Sequence, residues 1–160
     1  MMAIGVVETN CIPLGILAGD SMVKTADVTL ASAQTACAGK YIVIVAGEVA
    51  AVKASVAAGV QSAASALVDS LIIPNVDERV ICAMNGAPAI DHADAVGVIE
   101  TFSLASAISS ADTAVKAADV ELIEVRLGRG MGGKSFVVFT GAISAVEAAM
   151  RTAETEKGSK

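Results

Sequence analysis

The sequence predicts an α+β fold, with antiparallel sheets carrying helices packed on one face, built twice over in one chain. Three observations predict it: an internal repeat, short β-rich strands alternating with Ala-rich helical stretches, and glycine turns at matching places in both halves. Residues 3–9 read AIGVVET and residues 95–101 read AVGVIET. At that offset of 92, 13 of the 28 positions in 3–30 are identical to their partners in 95–122. Asp20 falls on Asp112, Lys24 on Lys116, and Ala26-Asp27-Val28 on Ala118-Asp119-Val120. Further on the register slips by two, so that Gly39-Lys40 matches Gly133-Lys134 and Gly47 matches Gly141. The chain is a tandem duplication, and its second copy carries two extra residues in the loop before Gly133.

Each copy opens on the AIGVVET-type strand. Residues 14–26 and 104–118 follow with apolar positions at helical spacing, Ile16 and Val23 in the first and Ile108 and Val115 in the second, so each reads as an amphipathic helix. Asp27–Leu30 and Asp119–Leu122 begin a second strand, and a glycine-bearing loop comes next. KYIVIVAG and KSFVVFTG give a third, apolar strand ending in a Gly turn, and EVAAVKASVAAGVQSAASALV and AISAVEAAMRTAET are Ala-rich helices. The first copy then adds a short strand at Leu71-Ile72-Ile73-Pro74 and a short helix at Val76–Met84. Asn85-Gly86-Ala87-Pro88 is the linker signal, which divides the chain into domains 1–86 and 87–160. His92 is expected to be an exposed loop histidine. The second copy runs to Glu156-Lys157-Gly158-Ser159-Lys160 with no matching terminal strand, through truncation or a different closure.

Composition narrows the function. The 160 residues are 54% hydrophobic with a mean hydropathy of +0.68, which supports a large core and excludes disorder. Only Tyr41, Phe102, Phe136 and Phe139 are aromatic, and the net charge is −6. Such a chain lacks the basic field and the stacking rings of a nucleic-acid binder. Its longest uncharged stretch, between Lys53 and Asp69, is about 15 residues of Ala and Ser character, short of the roughly 20 apolar residues that span a bilayer. MMAIGVVETN has no basic region ahead of its apolar residues, so no signal peptide is expected and the chain reads as cytosolic. Three cysteines, Cys11, Cys37 and Cys82, are too few and odd in number for a disulfide framework. Glu8 and Glu100 read as repeat partners at strand ends rather than as an acid–base pair. No Ser–His–Asp set, Walker loop or HExxH motif is present, and no catalytic residue is assigned.

The repeated G-V-[VI]-E-T strand, the D-x-x-x-K-x-A-D-V helix, and the glycine loop entering an apolar strand that ends in Gly together resemble the shell proteins of bacterial microcompartments. Two fused copies are similar to the tandem-domain subclass, and the resemblance runs from Ala3 to about Ala153. It implies two tandem ferredoxin-like shell domains and a homotrimer that mimics a hexagonal tile with a pore on its threefold axis. It further implies a cytoplasmic location in the shell, contact with other shell proteins and possible contact with encapsulated redox enzymes. By the same resemblance the pore is lined by the loop between the second and third strands, with Ala36, Cys37, Ala38 and Gly39 in copy one and Gly130, Met131, Gly132 and Gly133 in copy two. Small residues suit a narrow axis because bulky side chains would block backbone approach. Lys24 and Lys116 correspond to the lysine that lies at the tile edge in the family. The family's basic residue after the terminal proline is replaced by Asn75-Val76-Asp77, which weakens that expectation in copy one.

Cys37 departs from the plain pore loop. A threefold axis would turn one Cys into three converging thiolates, enough for three corners of a [4Fe–4S] cubane with the fourth iron on a non-protein ligand. C-A-G-K is similar to the cysteine-bearing loop of a propanediol-utilisation member of the family, in which such a cluster occupies the pore. The resemblance thus implies a cluster for electron transfer or cluster delivery at Cys37. Two alternatives stay open: the same tile with a metal-free pore for small metabolites, and a redox or sensing protein using Cys37 as a reactive thiol. Cys11 and Cys82 are expected to have structural roles.

Overall fold

The computed structural model describes residues 2–86, 88 and 90–157. Ala87 and Ala89 of the linker region, and Gly158-Ser159-Lys160 beyond the second copy, lie outside the described residues. The first copy holds β1 (Ala3–Thr9), α1 (Ile12–Thr25), β2 (Thr29–Ala36), β3 (Lys40–Gly47), α2 (Val49–Ala63), β4 (Leu67–Ile73) and α3 (Glu78–Met84). The second holds β5 (Ala95–Thr101), α4 (Leu104–Ala117), β6 (Glu121–Arg126), β7 (Ser135–Gly141) and α5 (Ile143–Lys157). All pairings are antiparallel, in the orders β2-β3-β1-β4 and β5-β7-β6. The duplication extends to register. Ala3 faces Gly47 as Ala95 faces Gly141, and a bulge at Leu30/Ser32 recurs at Leu122/Glu124.

The strand glycine of the repeat has a packing reason in both copies. A Cβ on Gly5 would lie 2.4 Å from Val56 Cγ2, and one on Gly97 would lie 2.5 Å from the Phe139 ring. Only glycine lets those neighbours sit so close over the strand.

Two sequence expectations are corrected. The Ala-rich helix expected through Val68 ends at Ala63, where Ala64 takes φ 49° and a 3-10 turn leads into β4. Leu67 and Val68 belong to that strand, which starts four residues before the expected Leu71 and pairs with β1 from Leu67↔Thr9 to Ile73↔Ile4. Helix propensity favoured continuation, but the hydrogen-bonding edge of β1 outweighs it. The second correction concerns α1. Its buried residues are Gly15, Ala18 and Met22, whereas Ile16 and Val23 are exposed. In α4 the matching Ile108 and Val115 are buried.

The reason is that the first sheet is covered on both faces. Val7, Val43 and Val45 pack on Ala18 and Met22 of α1 and on Val52 and Val56 of α2. On the opposite face, Ile4, Val6, Ile42 and Ile44 join a core that includes Leu104, Ala107 and Ile108 of α4, together with the second copy's own interior. Every residue of β1 is therefore buried, while in β5 only alternate residues are. The helix of copy two covers the outer face of copy one, and the second sheet has no such cover among the described residues.

Helix α3 bolts the two copies together at the far end. Asp77 accepts Arg79 N at 3.0 Å as its N-cap, and Arg79 donates to the carbonyls of Val115 and Val120 at 3.1 Å each. The hydrogen bond from the Arg79 guanidinium is the main cause holding the Asp77 carboxyl at about 2, below its usual 3.8. A carboxyl depressed on folding stabilises fully above its unfolded pKa, and that stabilisation is lost as pH falls through the folded value. The stability difference between the wild type and Asp77→Asn, measured by urea unfolding, should therefore shrink as pH is lowered from 5 to about 2. A difference that stays constant over that range would contradict this role.

Candidate functional site

The tight turn after β2 and the longer glycine loop before β7 meet side by side. Ala36 closes the first hairpin opposite Lys40, and Cys37-Ala38-Gly39 forms the turn with Gly39 at φ +75°. Thr35 and Ala36 are thus strand residues. In copy two, Gly128, Gly130, Gly132 and Gly133 all have positive φ, so the loop's winding path depends on residues without a Cβ. Cys37 N donates to Gly128 O at 2.7 Å, and Gly130 N donates to Cys37 Sγ at 2.9 Å. Arg129 reaches Gln34 Oε1 alongside. Gly39, Gly130 and Gly132 border open space, Met131 is half-buried, and Gly133 is buried within 3.3 Å of Cys37 O measured from where its Cβ would stand.

A buried ion pair holds this loop pair onto the sheet. Lys40 Nζ lies 2.7 Å from Glu8 Oε1, and it also donates to Phe102 O at 2.7 Å and to Gly133 O at 3.2 Å. Glu8 is fully buried, and its Oε2 accepts Leu104 N at 2.7 Å and Ala105 N at 3.2 Å. A buried carboxylate needs opposite charge and donors to offset its desolvation. Here it has an ammonium and the positive end of α4. One side chain of copy one therefore caps a helix of copy two, and its partner lysine ties down both loops. Asp69 of β4 adds to the joint by accepting from Ser103 and from Ser106 Oγ, the latter at 3.2 Å.

Sequence reasoning singled out Cys37 and the glycines, and the fold brings Cys37 and Gly130 into contact. It missed Lys40, Glu8 and Gly128. Two signals pointed to the first pair: Glu8 is the one charge in an apolar strand, and Gly-Lys is shared by both copies. Lys24 is largely exposed and pairs with Asp20 at 2.8 Å, whereas Lys116 pairs with Asp112 and donates to Asn75 O. Cys11 is the N-cap of α1, Cys82 is exposed on α3, and His92 is exposed. Among the described residues no three His, Cys, Asp or Glu side chains gather to hold a metal ion, and no helix is long and apolar enough to cross a membrane.

The chemistry open to Cys37 follows from its donor. A backbone N–H aimed at sulfur is the kind of contact that tunes metal-bound sulfur. One chain offers a single such sulfur at this loop pair.

Comparison with known proteins matches the BMC domain twice, at residues 3–76 and 95–159. The chain is 41% identical over 158 residues to the bacterial microcompartment shell protein PduT of Citrobacter freundii, covering 99% of this chain and 86% of that protein. A crystal structure of a microcompartment protein from Desulfitobacterium hafniense superposes with a TM-score of 0.85 at 46% identity, covering 99% of this chain and 89% of the other. The fused permuted hexameric shell protein MSM0275 of the RMM microcompartment shares the fold at a TM-score of 0.72 and 22% identity, covering 96% and 82%.

Removing one partner of a buried ion pair leaves the other uncompensated, at a cost of about 3 kcal/mol or more. Lys40→Met should lower the unfolding free energy by that order in urea titrations, and adding Glu8→Gln to it should restore part of the loss. If Lys40→Met is as stable as wild type, the ion pair does not anchor the loops.

Proposed function

The chain belongs to the BMC-domain family, as a tandem-domain bacterial microcompartment shell protein, and from that membership we propose that three copies form a pseudohexameric tile whose central pore holds a [4Fe–4S] cluster on three Cys37 sulfurs. The observation that carries the cluster reading is Cys37 Sγ itself, half-buried on a tight turn and accepting the Gly130 N–H at 2.9 Å. The donor set fits the group: thiolate is the ligand that such clusters prefer, and hydrogen bonds to the sulfurs tune their potential. When bound, the cluster supplies one-electron transfer, between the two sides of the shell or to encapsulated redox enzymes, or is itself delivered to them.

This chain's residues do the holding. A Cβ at Gly39, Gly130 or Gly132 would meet nothing within 4 Å, so the turn and the loop that meet at the Gly130–Cys37 contact border open space. Lys40 and Glu8 fix the two loops against each other from beneath, so the Cys37 turn is set by a buried charge pair and not by the loop alone. Ala36, Ala38, Met131 and Gly133 complete the proposed pore lining. Lys24 and Lys116 are the proposed edge lysines for contact with neighbouring shell proteins.

Protein purified without oxygen should be brown, with broad absorption near about 400 nm and roughly four iron per three chains. Cys37→Ser should bleach it without changing the trimer mass. Colourless, iron-free trimers would leave the tile standing with an open metabolite pore, and iron-free turnover that requires Cys37 would mark it as a reactive thiol.

A further inference from the structure

The longer loop of copy two carries a charge that the fold leaves without a counter-ion. Gly133-Lys134 matches Gly39-Lys40, and Arg126 matches Gln34. The ladders agree with that match, since Gln34 faces Ile42 as Arg126 faces Phe136. With Gly128 set on Ala36 and Met131 on Cys37, the two extra residues of copy two are Arg129 and Gly130. Gly130 supplies the N–H that meets Cys37 Sγ. Arg129 is, among the described residues, the one arginine without a carboxylate partner. Arg79 pairs with Asp77, Arg126 with Glu124 and Arg151 with Glu147, whereas Arg129 donates to the neutral Gln34 Oε1.

That guanidinium lines a groove of about 400 Å³ between the copies. Its walls are β2 at Ser32 and Gln34, β6 at Glu124 and Arg126, and the end of α3 at Met84. Both β2 and β6 are outer strands of their sheets, so the groove runs between two sheet edges. We propose that it binds a small molecule through an oxyanion, a carboxylate or a phosphate, with Arg129 as the main ligand and Arg126 as the second, and that occupancy is transmitted to Cys37. The site lies within one chain and stands apart from the trimer and the cluster; its consequence for Cys37 is what bears on that reading.

The chemistry of the lining favours an anion. A guanidinium has five N–H donors in a planar fork, and Arg129 uses one of its ends on Gln34, which leaves donors for a two-point bond to an oxyanion. Arg126 uses Nε at 2.6 Å and Nη2 at 2.5 Å on Glu124, and the Phe136 ring centroid lies 5.3 Å from its guanidinium carbon. With Glu124 neutralised in this way, the charged lining residues leave one net positive charge, that of Arg129. Free carbonyls at the end of α3 would oppose an anion, but those of Ile81, Cys82 and Ala83 already accept from Asn85 and Gly86. A pocket of this size with few, converging polar groups is in the range of small-ligand sites. The link to Cys37 is covalent geometry: the peptide unit that follows Arg129 contains the Gly130 N–H on Cys37 Sγ. An anion that draws the guanidinium from Gln34 therefore shifts the donor on that sulfur.

The test is an NMR titration of the whole chain, reduced and iron-free, with inorganic phosphate and separately with succinate, against sodium chloride at equal ionic strength. Either anion should give saturable shifts at the Arg129 Nε–H and at the Ser32 and Gln34 amides, and the tighter of the two identifies the phosphate or the carboxylate as the natural group. Chloride should give no saturation. The Gly130 amide should move with the same midpoint. Arg129→Gln should weaken binding about tenfold or more. Glu124→Gln should tighten it, because Arg126 is then released from its counter-ion, and a damaged fold does not produce a gain. Absence of saturation with both anions, an equal response to chloride, or an Arg129→Gln variant that binds like wild type overturns the site. A Glu124→Gln variant that binds no tighter removes Arg126 from it. A Gly130 amide that stays still while the groove fills overturns the link to Cys37 and leaves the cluster reading as it was.

Discussion

A sheet with two apolar faces needs two covers, and each repeat of this chain supplies helices for only one of them. The first sheet has α1 and α2 on one side, and on its other side Ile4, Val6, Ile42 and Ile44 share a core with α3, α4 and the strands of the second copy. That requirement sets the relation between the copies. It explains why β1 is buried along its whole length, why β5 is buried at alternate positions, and why two helices of matching sequence have different burial. Burying a large aliphatic side chain is worth about 1.5–3 kcal/mol, so a row of valines and isoleucines left uncovered is a strong drive to associate.

The apolar joint is pinned by a charge that has no freedom to slide. Glu8 is buried, and its carboxylate is aligned at once by Lys40 and by the first-turn amides of α4. Hydrophobic faces tolerate small shifts, whereas a buried carboxylate with charge-assisted bonds does not. Lys40 carries that precision outward to the loops, since the same ammonium holds Gly133 O. The geometry around Cys37 is thereby coupled to the joint between the copies, at the opposite end of α4 from the Arg79 anchor.

The two copies differ in the loops that meet beside Cys37. Copy one keeps a short turn that presents a thiol, and copy two has a longer loop whose Gly128 and Gly130 hydrogen-bond to Cys37. Duplication frees one loop to change without changing the other, which a single-domain ring cannot do. On the proposed cluster reading, the neighbouring loop supplies an N–H to the one Cys37 sulfur of each chain, and the remaining sulfurs would come from the other copies.

The repeat, the strand and helix order and the loop that carries Cys37 were legible in the sequence, because identities at a fixed offset and apolar spacing are local properties of the chain. Gly5 and Gly97 were visible too, as the glycine shared by both copies of the strand motif, though not what they make room for. The sequence could not reveal that Leu67 and Val68 leave an Ala-rich helix for a strand, since local propensity argues the other way and the edge of β1 decides. Nor could it tell Ile16 from Ile108: the two sit at the same place in the repeat, and only the packing of copies separates a buried face from an exposed one. Sequence by itself determined what each repeat folds into. Tertiary structure decided which surfaces are interior and gave Glu8 and Lys40 their task, because burial and pairing depend on contacts some 90 residues apart in the chain.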